Sequence, residues 1–270
     1  MAGAARRMPR GPGSGGPDRN PAGSALDKPS SRSRRLAELD IARSAALAAM
    51  AVFHLAWDLT MFGFLPEGTM LSPFWTGSAR AIAGSFLFLS GASLWLAHGT
   101  AIRWHPFLRR LALLALAAAA ISVVTWLAMP GAWIRFGILH AIAVSSCIGL
   151  LFLRAPLPLL AAATAGILLL ARLELPGFGG PLWLWSGLGS SPPRMLDYAP
   201  LVPWLAAFLA GLLSARVCAK RLSPRLDPAV RAVQVLSWPG RHSLAVYLLH
   251  QPVLFGAVFL ARRATDLAMG

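Results

Sequence analysis

The chain has 270 residues, of which 56% are hydrophobic and only 13% charged, and its net charge is +15. A soluble domain carries roughly 45–50% apolar and ~25% charged residues, so these numbers exclude an ordinary soluble globular protein and point into lipid. Of the 25 Lys and Arg residues, all but Lys28 and Lys220 are arginine. They sit in the N-terminal tail and between apolar runs, the pattern produced by the positive-inside rule and anionic lipid, so membrane lipid and not nucleic acid is the expected partner.

Residues 1–35 are rich in Gly, Pro, Ser and Arg and nearly free of large apolar side chains. Such a segment cannot bury enough surface to offset ordering entropy and is expected to be a disordered basic cytoplasmic tail. It does not read as a cleavable signal peptide, because the apolar run that follows is too long for an h-region and lacks a small-residue exit. Residues 36–264 read as a single polytopic domain. A spanning helix needs ~20 residues, and seven apolar runs follow, at about 41–64, 81–97, 108–128, 133–153, 157–173, 201–217 and 243–260. The expected fold is therefore all-α, a bundle of about seven transmembrane helices. The runs are too uniformly apolar for the alternating strands of a membrane barrel. The mixed segment Leu226 to Trp238 reads as an interfacial helix, and Trp183 with Trp185 marks a second interfacial piece on the other side.

Arginine placement sets the orientation. The tail, the loop from Ile102 to Arg110, Arg154 and the stretch from Arg216 to Arg241 are expected in the cytoplasm. The loops around Pro66, Pro130 and Gly177 to Asp197 are expected outside. An inner (cytoplasmic) membrane protein with its N-terminus inside follows. Arg262 and Arg263 then fall outside, against the rule, so the span count carries an uncertainty of one. Cys147 and Cys218 are the only cysteines, which supports neither a disulfide framework nor a thiolate metal site.

Ionisable groups within spans are costly and mark sites. His54 and Asp58 stand four residues apart on one face of the first span, where they can pair. A carboxylate beside an imidazole fixes its tautomer and raises its basicity, as a general base or nucleophile requires; packing partners satisfying one another would look the same. At ~1.5 Å per residue His54 lies about 21 Å above Asp40, some two-thirds across a ~30 Å core. His140 comes out at a similar depth, so the two histidines are expected to converge, with His250 nearer the midplane. Either can instead be an interhelical hydrogen-bond partner. The spacing matches no short zinc-ligand motif, and no metal is expected. At the cytoplasmic face, Asp40 and Arg43 open the first span at i, i+3, with Arg109, Arg110, Arg241 and His242 at the same level. Each alone suits membrane anchoring; together they can neutralise the phosphates of a cytosolic cofactor.

Four stretches carry a resemblance. RLAELDIARSAALAAMAVFHLAWDL (Arg35 to Leu59) looks like the opening of the heparan-alpha-glucosaminide N-acetyltransferase catalytic-domain family. RFGILHAIAVS (Arg135 to Ser145), DYAPLVPWLAAFLAGLL (Asp197 to Leu213) and GRHSLAVYLLHQPVL (Gly240 to Leu254) are similar to its later patterns. The histidine in the first span and the terminal His-Gln-Pro are the specific parts. The resemblance implies a multispan acyltransferase that moves acetyl from cytosolic acetyl-CoA to a saccharide amine across the membrane. Its catalytic histidine falls on His54, with Asp58 as orienting partner, His140, Asp197 or His250 toward the acceptor, and Arg43, Arg109, Arg110 and Arg241 toward the donor. Two departures stand out: Arg43-Ser44 replaces the family's frequent Arg-Gly, and the chain is shorter than the eukaryotic members. The competing reading is a proton-coupled transporter or a non-catalytic membrane protein, with His54 and Asp58 as a relay. Transporters usually show repeats or paired broken helices, and no clear repeat is present. Acceptor identity and oligomeric state are not written in the sequence.

Overall fold

The computed structural model describes residues 36–173, 175, 177–189, 195–219, 226–227 and 229–269. The tail expected over 1–35 lies outside them. The described residues form eight α-helices and no strand: α1 (Ala37–Met61), α2 (Pro73–His98), α3 (Trp104–Ala128), α4 (Ile138–Phe152), α5 (Leu157–Leu170), α6 (Leu201–Cys218), α7 (Arg231–Arg241) and α8 (Ser243–Met269). Five of them, α1, α2, α3, α6 and α8, are long and apolar enough to cross a membrane. α4 and α5, with 15 and 14 residues, are apolar but reach only ~21–22 Å at 1.5 Å per residue.

Helix starts follow local chemistry. α2 begins at Pro73, eight residues before the expected Ala81, because Ser72 is extended and Pro73 occupies the first turn, where its missing N–H costs nothing. α4 begins later than Trp133. The Thr125 hydroxyl accepts the Ile134 N–H at 3.0 Å and the Ser122 hydroxyl donates to the Ile134 carbonyl at 2.7 Å. These bonds hold 133–136 as a loop against the end of α3. α8 runs on to Met269 instead of stopping near Leu260. α7 occupies the segment expected to be interfacial; its Val235, Leu236 and Trp238 are exposed and its last turn lies across the first turns of α1.

The bundle is held where backbones approach closely. A Cβ on Gly91 would stand 1.9 Å from the Phe208 carbonyl oxygen, and one on Gly211 would stand 1.9 Å from the Phe88 carbonyl oxygen. The two glycines therefore let α2 and α6 meet backbone to backbone, the small-residue packing that holds helices together without a hydrophobic driving force. Leu87, Leu94, Phe208, Leu209 and Leu212 fill the fully buried centre beside that crossing. The outward faces are apolar as well: Leu116, Val124, Leu169 and Leu260 are each more than 60% exposed. An apolar surface of this extent is a membrane-facing one.

Ends can be matched. Arg216 at the end of α6 donates to the Ala155 carbonyl in the α4–α5 turn. Ala199, just before α6, donates to the Phe136 carbonyl, just before α4, at 3.2 Å. α4, α5 and α6 thus run from end to end of the bundle in alternating directions. α1 and α8 run parallel: His54 meets His250, Asp58 meets Gln251, and Phe62 meets Phe255 and Phe259 in ascending order.

Candidate active site

Two polar zones lie along α1. The first is at its start. Arg43 donates to the Asp40 carboxylate at 2.6 Å and to the Ser93 hydroxyl on α2. Arg110 of α3 is near enough to Arg43 for their charges to repel, and Arg103 and Arg110 stand in the same relation to His98. His98 is buried, accepts the Arg103 N–H at 3.2 Å on Nδ1, and shares a small cavity with Phe107, Arg110 and Ser146. Arg43, Arg103, Arg110 and His98 therefore gather on three helices at one end of the bundle. Of the other two expected arginines, Arg109 neighbours Arg110 on α3 and Arg241 follows Gly240, which packs on Asp40. Arg241 donates to the Gln234 carbonyl within α7 at 2.8 Å, and Arg109 is exposed.

Ser44, where the resemblance leads one to expect glycine, has a role here. Its hydroxyl donates to the Asp40 carbonyl at 3.0 Å and accepts the Gly240 N–H at 2.8 Å. Gly240 itself must lack a side chain, because a Cβ there would lie 1.8 Å from the Asp40 carbonyl oxygen. Helix α7 is thereby seated on α1 directly beside Arg43.

The second zone lies further along α1, about 16 Å from Arg43 at the helical rise. His54 is half-buried, and its ring centroid is 5.0 Å from that of His250, edge to face. It makes no hydrogen bond to Asp58. The Asp58 carboxylate, 1% exposed, instead accepts the Gln251 side-chain amide at 3.0 Å. The expected pairing of His54 with Asp58 therefore gives way to one across the α1–α8 seam. Asp58 Oδ2, Gln251 Oε1 and His250 Nε2 are buried without hydrogen-bond partners. Polar atoms left unpaired in a protein interior cost roughly 1–3 kcal/mol each, and such a group of them usually marks where a ligand or ordered water binds.

His140 sits elsewhere. It accepts the Gly137 N–H at 3.2 Å on Nδ1, and its Nε2 lies 3.4 Å from the Ser122 hydroxyl. Nδ1 thus closes the N-terminus of α4 and Nε2 ties that end to α3. His54 thus meets His250 and not His140. His250, expected nearer the midplane than His54, stands beside it; counting along each helix gives a depth and not the neighbour that lies alongside. Asp197 accepts the Ile138 N–H at 2.8 Å and so caps α4 from another part of the chain, and a Cβ on Gly137 would strike that carboxylate. Burial pushes the Asp197 carboxyl above the usual carboxylate range, against the opposing effect of the Ile138 hydrogen bond. Asp197, His140 and Tyr247 line one small cavity, and the Tyr247 ring is 5.8 Å from that of His250. Tyr247 therefore links the histidine pair to the Asp197 side.

Tyr247, Ser93 and Ser122 take part although the sequence reading did not single them out, and Gln251 entered it only within the His-Gln-Pro motif, with no role of its own. Gln251 was the findable one, since a side-chain amide inside an apolar span needs a partner as a carboxylate does. Cys147 and Cys218 are free and exposed. Among the described residues no three His, Cys, Asp or Glu side chains are grouped to hold a metal ion.

Neither the curated proteins nor the solved structures contain a match to this chain. A family model described as heparan-alpha-glucosaminide N-acetyltransferase, catalytic, matches residues 35–252, a stretch that takes in both polar zones, His54 and the His250-Gln251-Pro252 sequence. The chain belongs to the heparan-alpha-glucosaminide N-acetyltransferase catalytic-domain family.

Proposed function

We propose that this protein is an integral-membrane acetyltransferase that takes acetyl from acetyl-CoA on the cytosolic side and passes it to a saccharide amine on the other side. The observation that carries the reading is the pairing of His54 with His250, beside buried Asp58 and Gln251, deep within two membrane-length helices. Buried ionisable groups without full pairing are hard to account for as packing in a span.

In this reading Arg43, Arg110 and Arg103 neutralise the phosphates of acetyl-CoA beside a neutral His98, with Arg109 and Arg241 adding to the positive field at the same face. The thioester arm extends along α1 toward His54. His54 accepts the acetyl group, and Asp58 holds the negative charge that steadies a positive imidazole. Asp197, His140 and Tyr247 shape the far wall toward which the saccharide enters. The chain crosses the inner membrane seven times with its N-terminus in the cytosol. α4 and α5 count among the crossings because each runs the length of the bundle, a shortfall in length that local bilayer thinning offsets.

The test is transfer of labelled acetyl from acetyl-CoA to an added amino sugar in proteoliposomes. Wild type should acetylate the sugar, and His54→Ala should remove at least ~10²-fold of the rate while the protein stays folded. Transfer that survives His54→Ala within a fewfold would exclude His54. No transfer to any acceptor, together with a pH-driven solute flux, would show a transporter instead.

A further inference from the structure

We propose that His250 is a second catalytic residue, the base that takes the proton from the incoming amine and returns it to His54. The proposal rests on the acetyl-transfer reading above and assigns its proton path.

The geometry begins with a tautomer. His250 Nδ1 lies 2.6 Å from the Tyr247 carbonyl oxygen. A carbonyl can only accept, so Nδ1 carries the hydrogen, and in the neutral ring Nε2 holds the lone pair. That carbonyl belongs to the preceding turn of the same helix and cannot swing away, so the fold itself fixes the tautomer, as second partners of functional histidines do. Nε2 is buried and has no hydrogen-bond partner. A proton acceptor with its lone pair unclaimed is what a general base requires. His54, by contrast, has no hydrogen bond that fixes its ring, and it lies edge to face with His250.

The other unclaimed atoms on this seam agree. Gln251 uses its amide N–H on Asp58, which leaves Gln251 Oε1 and Asp58 Oδ2 facing no donor. Together with His250 Nε2, the seam offers three unpartnered acceptors. That lining suits a ligand that brings N–H and O–H groups, an amine flanked by hydroxyls.

The steps balance. A ring nitrogen of His54 attacks the thioester carbonyl carbon and the C–S bond breaks. The proton on the other His54 nitrogen is released and taken up by the departing thiolate, leaving neutral N-acetylimidazole and CoA thiol. The acceptor amine then attacks the acetyl carbon. A C–N bond forms to the amine, the bond to the His54 nitrogen breaks, and the amine proton passes to His250 Nε2. The resulting imidazolium stands beside the His54 imidazolide and returns the proton to it, so both rings end neutral.

The experiment separates the two half-reactions, using purified protein in proteoliposomes, labelled acetyl-CoA, and glucosamine as the amine. His250→Gln places a neutral amide near Nε2 that cannot take a proton. The expected result is self-acetylation within a fewfold of wild type, label that accumulates on the protein in the presence of glucosamine, and transfer lowered ~10²–10⁴-fold. Imidazole added to His250→Ala should restore part of the transfer. His250→Gln that transfers like wild type overturns the proposal and leaves the function above standing. So does loss of self-acetylation and transfer together in a folded variant, or wild-type transfer with no label ever found on the protein. A wild type that transfers to no amine overturns the function and this proposal with it. A measurement independent of the variants is nitrogen NMR of histidine-labelled wild type: the His250 ring should be the Nδ1–H tautomer, and an Nε2–H ring would exclude it as the base.

Discussion

Asp58 is a carboxylate with 1% exposure inside a membrane-length helix, and the Gln251 amide is what satisfies it. Asp58→Asn keeps an oxygen to accept from Gln251 and removes only the negative charge. The variant should therefore unfold at the wild-type temperature in detergent while acetyl transfer falls, though less than for His54→Ala. Gln251→Leu keeps the volume and strips Asp58 of its donor, so it should cost about 1–3 kcal/mol of stability. Unfolding at the wild-type midpoint would show that the bond does not hold the seam. Asp197 gives a pH signature. Its carboxyl binds protons more tightly folded than unfolded, so its stabilising contribution is full below the ordinary carboxylate pKa and is lost as pH rises through the raised folded value. Asp197→Asn keeps an oxygen to cap Ile138 and removes that titration. The melting temperature of the variant relative to wild type should rise as pH increases above the ordinary carboxylate pKa of about 4, and a constant difference would contradict the sign. The sequence revealed His54 and Asp58 because two costly groups one helical turn apart announce themselves. It did not reveal Gln251 as the partner, since i, i+4 spacing defines a shared face and not what packs against it.

The helices α2 and α6 depend on two glycines in the same way that the residues above depend on hydrogen bonds. Gly91→Ala or Gly211→Ala would set a Cβ 1.9 Å from a backbone carbonyl oxygen that has nowhere to go, so the helices must part. Each change should cost about 1–3 kcal/mol, the usual range for overpacking. Gly166→Ala on α5 is the control, since a Cβ there meets nothing within 4 Å, and the gain in helix propensity should make it neutral or slightly stabilising. Equal effects at Gly91 and Gly166 in a detergent unfolding assay would mean that the crossing is looser than the backbone geometry requires. Helix existence was legible for all seven apolar runs and for amphipathic α7, because apolar length and charge mixing are local properties. The ends were less so. α4 loses its expected first turn to hydrogen bonds from Ser122 and Thr125 on another helix, and no local pattern encodes those. The Ser72-Pro73 start of α2 was in plain view, but the polar residues after it diluted the apolar signal.

Across the whole molecule, topology decides whether the reaction can run in the proposed direction. α1 and α8 are parallel, so they begin on the same side and the chain makes an odd number of crossings: five or seven satisfy this and six does not. Arg262 and Arg263, the pair that strained the charge rule, lie at the far end of the bundle from Arg43. Arg262 is partly neutralised there by Asp266 at 3.0 Å and by the Phe62 carbonyl at the end of α1. Of the exceptional pair Arg262 is thus locally ion-paired, and the Arg263 guanidinium lies over the Phe259 ring. Orientation can be read by accessibility once Cys147 and Cys218, both exposed, are replaced by serine. In intact cells a membrane-impermeant maleimide should label Glu67→Cys and Ala268→Cys. It should reach Thr100→Cys only after the membrane is permeabilised. Glu67 and Ala268 on opposite sides would break the parallel arrangement of α1 and α8. Thr100 labelled first, with Glu67 protected, would place Arg43 and Arg110 outside, where no acetyl-CoA is supplied, and the donor would have no route to its phosphate site.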